Sequence, residues 1–317
     1  MKCSSYIPEH VSECLQLAML LEVSAYPKPG NVHRTADFSD TRYEHFLASA
    51  VVVGRFFRKA AERGVLIGLG ELEPKKVELG KIIKDAVEKV SSWISGGNTI
   101  LGTIILLSPL AVAAGTNLIK EEKFHIESLR QNLRLVVEAT TPVDAVNLYE
   151  AVQLARPGGL GKVPELDVND PSSKKEILER RISLFEIFRI ASKYDSVAAE
   201  WINNYHITFD VGYPYFVKEL KHTKDFNTAT VHVYLKILSE VQDTLIARKL
   251  GKDKAEQVSL EAKNILELGG LGTLQGRERL IEFDCRLRKS GNKFNPGTTA
   301  DLVSAVLAVS ILDGHRP

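Results

Sequence analysis

The chain of 317 residues carries 41 Lys+Arg against 40 Asp+Glu, a formal net charge of +1, with 44% hydrophobic residues. So even a balance supplies no global field for nucleic acid or an acidic membrane, and neither is expected as a partner. The cysteines, Cys3, Cys14 and Cys285, are odd in number and lack CxxC spacing, which argues against a disulfide framework or a cysteine zinc site and for a reducing, cytoplasmic setting.

The length exceeds a usual single domain, but helical enzymes of this size often share one core, so residues 1–317 are read as one multi-helix domain. No basic segment with an apolar run and cleavage site opens the chain, which again favours the cytoplasm. Between residues 8 and 25, Val11, Cys14, Leu15, Ala18 and Leu21 recur at the helical period. Glu22 interrupts that apolar run and either faces water or enters a pocket. Tyr26-Pro27-Lys28-Pro29-Gly30-Asn31-Val32-His33 follows. Its prolines fix φ and remove amide donors, and Gly30 permits close backbone approach, so Lys28, Asn31 and His33 are presented rigidly. An ordinary Pro-Gly connection remains the alternative.

Asp37 and Asp40 fall in a polar loop before Thr41-Arg42-Tyr43-Glu44, a capping-box pattern for the next helix. They suit either Mg²⁺ or the helix dipole. A helix over about 74–93 ends at Ser95-Gly96-Gly97, and Asn98-Thr99 then begin a buried apolar helix, where free amides suit an anion or a simple cap. The apolar run over 100–114 is shorter than the roughly 18 to 20 residues of a membrane span, and Ser108-Pro109 is expected to break it. Thr141-Pro142-Val143-Asp144 reads as a structural helix start. The glycine-rich segment from Arg156 to Lys162 opens a long connection to Pro171, suggestive of a lid or binding loop, although its spacing is not that of a Walker motif.

Helices are expected over 174–193, 196–210 and 228–250. His206 and Asp210 share a face of the second, either as a metal or proton pair or as a surface pair. Asp243 and Arg248 lie on the third, either lining a groove for Mg²⁺ and phosphate or forming a helical ion pair. Leu268-Gly269-Gly270-Leu271-Gly272 has the wrong spacing for a dinucleotide motif and no preceding strand. Finally, Asn295-Pro296-Gly297-Thr298-Thr299-Ala300-Asp301-Leu302 enters the last apolar helix, with Thr298 and Asp301 in capping-box register. With few alternating β-branched runs anywhere, the fold class is all-α, with functional loops at helix N-termini.

Three of these features stand in one order: Glu22 with Pro27-Lys28-Pro29-Gly30, then Asn98-Thr99 behind two glycines, then residues 295–302. In that order they resemble the triphosphoribosyl-dephospho-coenzyme A synthase family, and the segment from Asp243 to Gly251 is similar to that family's Asp…Arg…Gly helix end. The resemblance spans most of the chain. It implies an all-helical, Mg²⁺-dependent transferase that joins the ribosyl carbon of ATP to the 2′-hydroxyl of 3′-dephospho-coenzyme A and releases adenine. The product of that reaction is the precursor of the prosthetic group of citrate or malonate lyase-type acyl carrier proteins. ATP and dephospho-CoA would be its partners, and a homodimer its candidate assembly.

Such chemistry needs cations and helix-start amides for the triphosphate, a carboxylate to steady positive charge on the ribosyl carbon, and a base. Carried onto this chain, Lys28, Gly30, Asn31, Asn98, Thr99, Arg248, Gly297 and Thr298 would hold phosphates. Asp37, Asp210 and Asp243 would hold Mg²⁺. Glu22 would stabilise charge or act as base, with His33 as the rival base. The chain departs from the family where Asn31-Val32-His33 replaces Leu-Val-Asp, and where Ile100-Leu101-Gly102 replaces His-Lys-Gly after Asn-Thr. Two alternatives therefore stand beside the main reading: the same fold acting on another phosphorylated cofactor precursor, and a non-catalytic nucleotide-binding protein.

Overall fold

The computed structural model describes residues 6–94, 100–121, 124–161, 163 and 165–317. Among these the regular secondary structure is helical, with no strand, as the sequence pattern predicts. The first third holds α1 (Tyr6–Ser24), α2 (Tyr43–Gly68), α3 (Leu79–Ser91) and α4 (Leu101–Lys120). The middle holds α5 (Ile126–Glu138), α6 (Pro142–Ala155), α7 (Ser173–Glu179), α8 (Leu184–Ala191), α9 (Ser196–Ile202) and α10 (Tyr213–Thr223). The last third holds α11 (Phe226–Glu240), α12 (Thr244–Leu250), α13 (Lys252–Glu267), α14 (Leu274–Arg288) and α15 (Gly297–Leu312).

The centre is built on α4 and α15, both apolar around most of their circumference and almost wholly buried, as a helix without a polar face must be. α2 and α1 pack on α4, and α15 lies across α1, α4 and α11. Glycine sets the closest approach: a Cβ on Gly64 would lie 2.0 Å from the Val112 carbonyl oxygen, and one on Gly115 would lie 2.3 Å from that of Ala61. One contiguous apolar core joins α1 to α15, and Val23, Val32 and Phe38 form a small cluster under the loop after α1.

The expected break at Ser108-Pro109 does not occur. α4 runs through Pro109 for 20 residues, long and apolar enough to cross a membrane by length and composition, yet 83% of its most apolar window is buried in the protein. Proline removes the donor that the Ile105 carbonyl would receive. Trp201 supplies one instead, its Nε1 donating to Ile105 O at 3.3 Å, while Tyr205 OH donates to Leu106 O at 3.0 Å. The helix stays intact because its freed carbonyl has a partner.

Four predicted helices are divided. Residues 74–93 become a 3₁₀ turn (Pro74–Lys76) and α3. Residues 174–193 divide at Arg181, whose φ is +55°, after which Ser183 caps α8 by accepting from Glu186 N at 3.2 Å. Residues 196–210 form α9 and then a π-helical segment (Ile207–Gly212). Residues 228–250 divide because the Asp243 carboxylate caps a new helix, so Asp243 stands at the start of α12 and not inside one long helix with Arg248 as expected. Of three predicted capping boxes only Thr141–Asp144 forms. α2 begins at Tyr43, whose amide donates to Asp37 at 2.7 Å, and α15 begins behind Pro296 without a side-chain cap.

Candidate active site

The segment after α1 turns at a cis Tyr26–Pro27 peptide and is held at both faces. Asn227 of α11 pairs with the Tyr26 amide at 2.9 Å and carbonyl at 2.8 Å, and Tyr234 OH donates to Pro29 O at 3.1 Å. Gly30 has φ +72°, and its amide donates to Asp284 of α14 at 2.8 Å. A Cβ there would lie 2.9 Å from the Phe294 carbonyl, so glycine is needed for both the angle and the approach. Arg288 grips Asp284 through Nε at 2.8 and 2.9 Å and also donates to the Asn31 carbonyl. The segment is tied down mainly by long-range partners that a local motif cannot reveal, and of the three side chains expected to be presented only Asn31 lines the cleft described below.

Lys28 is fully buried, and its Nζ donates to the Glu22 carboxylate and, at 3.1 Å, to Asn31 Oδ1. Burial raises the Glu22 pKa against the pull of Lys28, and burial lowers that of Lys28 against the pull of Glu22. Burial works against the charged form of each, and the ion pair with the other offsets it. His33 is buried too, with Nε2 3.4 Å from Asp284 Oδ2 and Nδ1 3.1 Å from Thr35 Oγ1, and burial lowers its pKa.

In front of this network opens a cleft of about 900 Å³, near the top of the usual range for small-molecule sites. Its inner end is polar: Glu22, Asn31, Thr103, Asn295, Thr298 and Asp301. Another part of its lining is apolar, with Leu148, Val152, Ile187, Phe188 and Val197 from α6, α8 and α9. Arg156, Arg248 and Lys249 bring positive charge to the same cleft. Arg248 Nη1 donates to Asp195 at 2.5 Å, while its buried Nε–H has no partner among the described residues. Such an orphan donor is costly unless a ligand completes it.

Asp301 is the site residue that sequence reasoning missed, having assigned it to a cap. Its Oδ1 accepts from Thr103 Oγ1 at 2.5 Å, and a Cβ on Gly102 would lie 2.1 Å from its Oδ2. Gly102, noted only as part of a departure from the family pattern, is thus the residue that lets this carboxyl fit. Burial, reinforced by the negative charges of Glu22 and Asp243, pushes the Asp301 pKa up to about 8. Asn295, Lys249 and Asp40 also face the cleft. Asp40 is expected from the sequence as a candidate Mg²⁺ or helix-dipole carboxylate, and the signal for Asn295 and Lys249 is their place within the quoted motifs.

Of the phosphate-binding expectations, Asn31, Arg248, Gly297 and Thr298 line the cleft, whereas Lys28 and Gly30 do not. The Lys28 ammonium is committed to Glu22 and Asn31, and the Gly30 amide to Asp284. Asn98 and Thr99 lie outside the described residues. Of the two candidate bases, Glu22 faces the cleft and His33 stands behind its wall.

The three candidate magnesium ligands are not brought together, and no group of three or more His, Cys, Asp or Glu suited to a metal occurs among the described residues. Asp37 is exposed and holds the Tyr43 amide. Asp210 takes both Arg130 guanidinium nitrogens at 2.6 and 2.7 Å and His206 Nδ1 at 2.7 Å, away from the cleft. Asp243 Oδ1 accepts from Leu245 N at 2.9 Å and Ile246 N at 3.0 Å, and Oδ2 accepts from Thr299 N at 2.7 Å and Thr299 Oγ1 at 2.9 Å. Its four acceptor sites are filled, so it ties α12 to α15 and leaves nothing for a cation.

The sequence pattern of the family described as "CitG: ATP:dephospho-CoA triphosphoribosyl transferase" matches residues 8–317. A "Probable 2-(5''-triphosphoribosyl)-3'-dephosphocoenzyme-A synthase" from Streptococcus mutans is 24% identical over 298 residues, covering 93% of this chain and 94% of that protein. A protein of the same name from Pseudomonas fluorescens (strain Pf-5) is 22% identical over 309 residues, covering 97% and 92% respectively. A crystal structure from Archaeoglobus fulgidus, named for triphosphoribosyl-dephospho-CoA synthase, superposes with a TM-score of 0.62 at 21% identity. It covers 85% of this chain and all of that one, a likeness of fold.

Proposed function

The chain belongs to the CitG family of ATP:dephospho-CoA triphosphoribosyl transferases, and from that premise we propose how its cleft divides the work of the transfer. The protein is a transferase whose substrates are ATP and dephospho-CoA. In the reaction the bond from the ribosyl carbon to adenine breaks, a bond to the acceptor hydroxyl oxygen forms, the hydroxyl loses a proton and the departing adenine gains one. Positive charge develops on the ribosyl carbon between these events, so the site needs a negative group, a proton donor and a firm hold on the triphosphate.

The observation that carries the assignment is the meeting, in one cleft, of a carboxyl floor and a cationic rim. Arg248, with its unpartnered Nε–H, takes the triphosphate together with Lys249, Arg156 and the start of α15 at Gly297 and Thr298. Glu22 faces the ribosyl carbon, steadying its charge and receiving the hydroxyl proton. Asp301, protonated near neutrality, hands its proton to adenine. The apolar part of the lining takes uncharged portions of the substrates.

Magnesium is held in most nucleotide sites by one or two carboxylates plus substrate phosphates. The cleft suits that arrangement better than a dedicated cage. Mg²⁺ would arrive on the triphosphate, neutralise part of its charge and find Asp40 at the rim as its protein carboxylate. A cytoplasmic location and a homodimer fit the reading.

The test is adenine release from ATP, Mg²⁺ and dephospho-CoA, with the coupled product followed by mass. Turnover well above that of a Glu22→Gln variant is expected. No adenine beyond that control would overturn the assignment. Ile100 and Leu101, standing where the family has His-Lys, line the cleft and favour a second reading in which a different phosphorylated precursor is the acceptor. Adenine release with such an acceptor, and none with dephospho-CoA, would select it.

A further inference from the structure

We propose that Lys28 is a positioning residue that sets the orientation of three cleft groups from behind, and that it does not touch the triphosphate. The inference rests on the transferase reading for its kinetic consequences, and on geometry alone for its separation of Lys28 from the ligand.

An ammonium carries three donors and no acceptor. Lys28 spends one donor on Glu22 and one on Asn31 Oδ1 at 3.1 Å, and its Nζ stands 5.9 Å from the centre of the Tyr234 ring. With 0% of its surface exposed it has no path to a phosphate that leaves these partners in place. The loop cannot swing to offer one, since Pro29 O is held by Tyr234, Gly30 N by Asp284, and Asn31 N by Lys28 O at 3.2 Å.

The consequence for the cleft follows from donor and acceptor rules. Because the ammonium only donates, the Asn31 side chain must present its oxygen to Lys28, and its Nδ2 is thereby turned outward. That Nδ2 donates to Asn295 Oδ1 at 2.8 Å. Asn295 in turn has its oxygen occupied, which directs its own amide donors away from Asn31 and toward the cleft that it lines. One buried charge thus fixes a carboxylate at Glu22 and the polarity of two successive amides, and joins the Lys-Pro-Gly segment to the Asn-Pro-Gly segment across the cleft floor. Arginine carries its charge on a planar fork of fixed donor directions instead of a point ammonium, so charge alone does not reproduce the arrangement, and Lys28→Arg is expected to lose kcat as well.

The experiment compares Lys28→Met, Lys28→Arg, Glu22→Gln and the Lys28→Met/Glu22→Gln double variant with the wild type, by adenine release and by calorimetric binding of Mg-ATP. A positioning role predicts that Lys28→Met lowers kcat by about 10²-fold, the scale of a misplaced catalytic group, while KM and Kd for ATP move less than about threefold. It further predicts that adding Lys28→Met to Glu22→Gln costs clearly less than Lys28→Met costs in the wild type, because Lys28 acts in part through Glu22 and in part through Asn31. A tenfold or greater loss of ATP affinity in Lys28→Met with kcat retained would overturn the proposal, as would losses that multiply in the double variant. Should Lys28→Met fail to fold, the double variant, which leaves no unpaired charge, decides by its affinity for Mg-ATP against that of Glu22→Gln. Wild-type protein that binds Mg-ATP without releasing adenine would sink the transferase assignment while the affinity comparison still judges Lys28. Wild-type protein that binds no ATP would end both.

Discussion

The two ends of the cleft are made in opposite ways. At the inner end Glu22, Lys28, Asn31 and Asn295 form one hydrogen-bonded chain, Asp301 is held by Thr103, and the segment carrying Lys28 and Asn31 is fastened to α11 and α14. At the other end, where Gly158 and Gly159 lie against Lys249 and Arg248, residues 158–161 are exposed, Gly159 has φ +77°, and firm ties come further along, where Tyr149 OH donates to Leu166 O at 2.5 Å and Gln153 Nε2 donates to Val168 O at 2.7 Å. The fixed end is suited to chemistry, which tolerates little displacement, and the looser end to admitting a large substrate. Changes at the first should therefore act on kcat and stability, and changes at the second on KM.

The sharpest break of that contrast is at the two carboxyls. Glu22→Gln and Asp301→Asn should each lower kcat by about 10²–10⁴-fold, the span of general acid–base catalysis, with smaller changes in KM for ATP. Asp301→Asn keeps an oxygen for Thr103, so the protein should still fold. Since Asp301 acts in its protonated form, wild-type turnover should fall as pH rises through about 8, and the Asn variant should lack that limb. The stability consequence has the same sign. A carboxyl whose folded pKa lies above its unfolded value stabilises the fold at low pH, and that contribution disappears as pH climbs toward about 8. Urea unfolding of both proteins between pH 5 and pH 9 should show the slope in the wild type alone.

Asp243 sits beside that floor but serves the frame. Replacing it with Ala removes an α12 cap and leaves the Thr299 amide and hydroxyl without their acceptor, a loss of about 2–4 kcal/mol by the usual cost of caps and orphaned buried donors. The measurement is chemical denaturation together with the Mg²⁺ dependence of turnover per folded molecule. Unchanged stability with a large shift in the Mg²⁺ requirement would return Asp243 to the metal.

The sequence made the helical frame legible because a helix records its buried face in a local period, as between Val11 and Leu21 or along the apolar run of α4. It also marked the places where the cleft is built, since proline and glycine reveal a constrained backbone at Lys28-Pro29-Gly30 and at Pro296-Gly297. What it could not record is direction. Whether Lys28 points at a ligand or at Glu22 depends on α11 and α14 closing over it, more than 200 positions along the chain. Asp301 read as a cap because its spacing from Thr298 is that of a capping box, and only the packing of α4 under α15 turns its carboxyl to Thr103. Asp243 misled in the opposite sense, since an acid beside a phosphate-like arginine resembles a metal ligand until its four donors are counted.

At the cationic rim the effect moves from kcat to KM. Arg248→Met should raise KM for ATP by about 10- to 100-fold with kcat changed much less, the loss of one charge-assisted contact to phosphate. Lys249→Met should do less, because burial already lowers the pKa of Lys249 and its Nζ is shared with Asn292 O at 3.0 Å. Equal losses in kcat and kcat/KM for Arg248→Met would place the guanidinium at the reacting carbon and erase the division between the two ends.

The smallest effect is expected at a cluster that looked functional in the sequence. Asp210 is 40% exposed in its side chain and outside the cleft, where Arg130 holds its carboxyl below the usual range against burial, with help from His206. Its lowered pKa means that the pair stabilises the fold above the unfolded carboxylate value and ceases to do so as pH falls through the folded one. Solvent and salt screen such a pair, so Asp210→Asn should cost about 1 kcal/mol or less and should leave adenine release and its Mg²⁺ dependence within about twofold of wild type. Steady-state kinetics against Mg²⁺ concentration is the measurement. A tenfold loss there would mean that a site distant from both ends of the cleft governs catalysis, and the contrast between a fixed chemical end and a yielding entry end would no longer account for how this protein works.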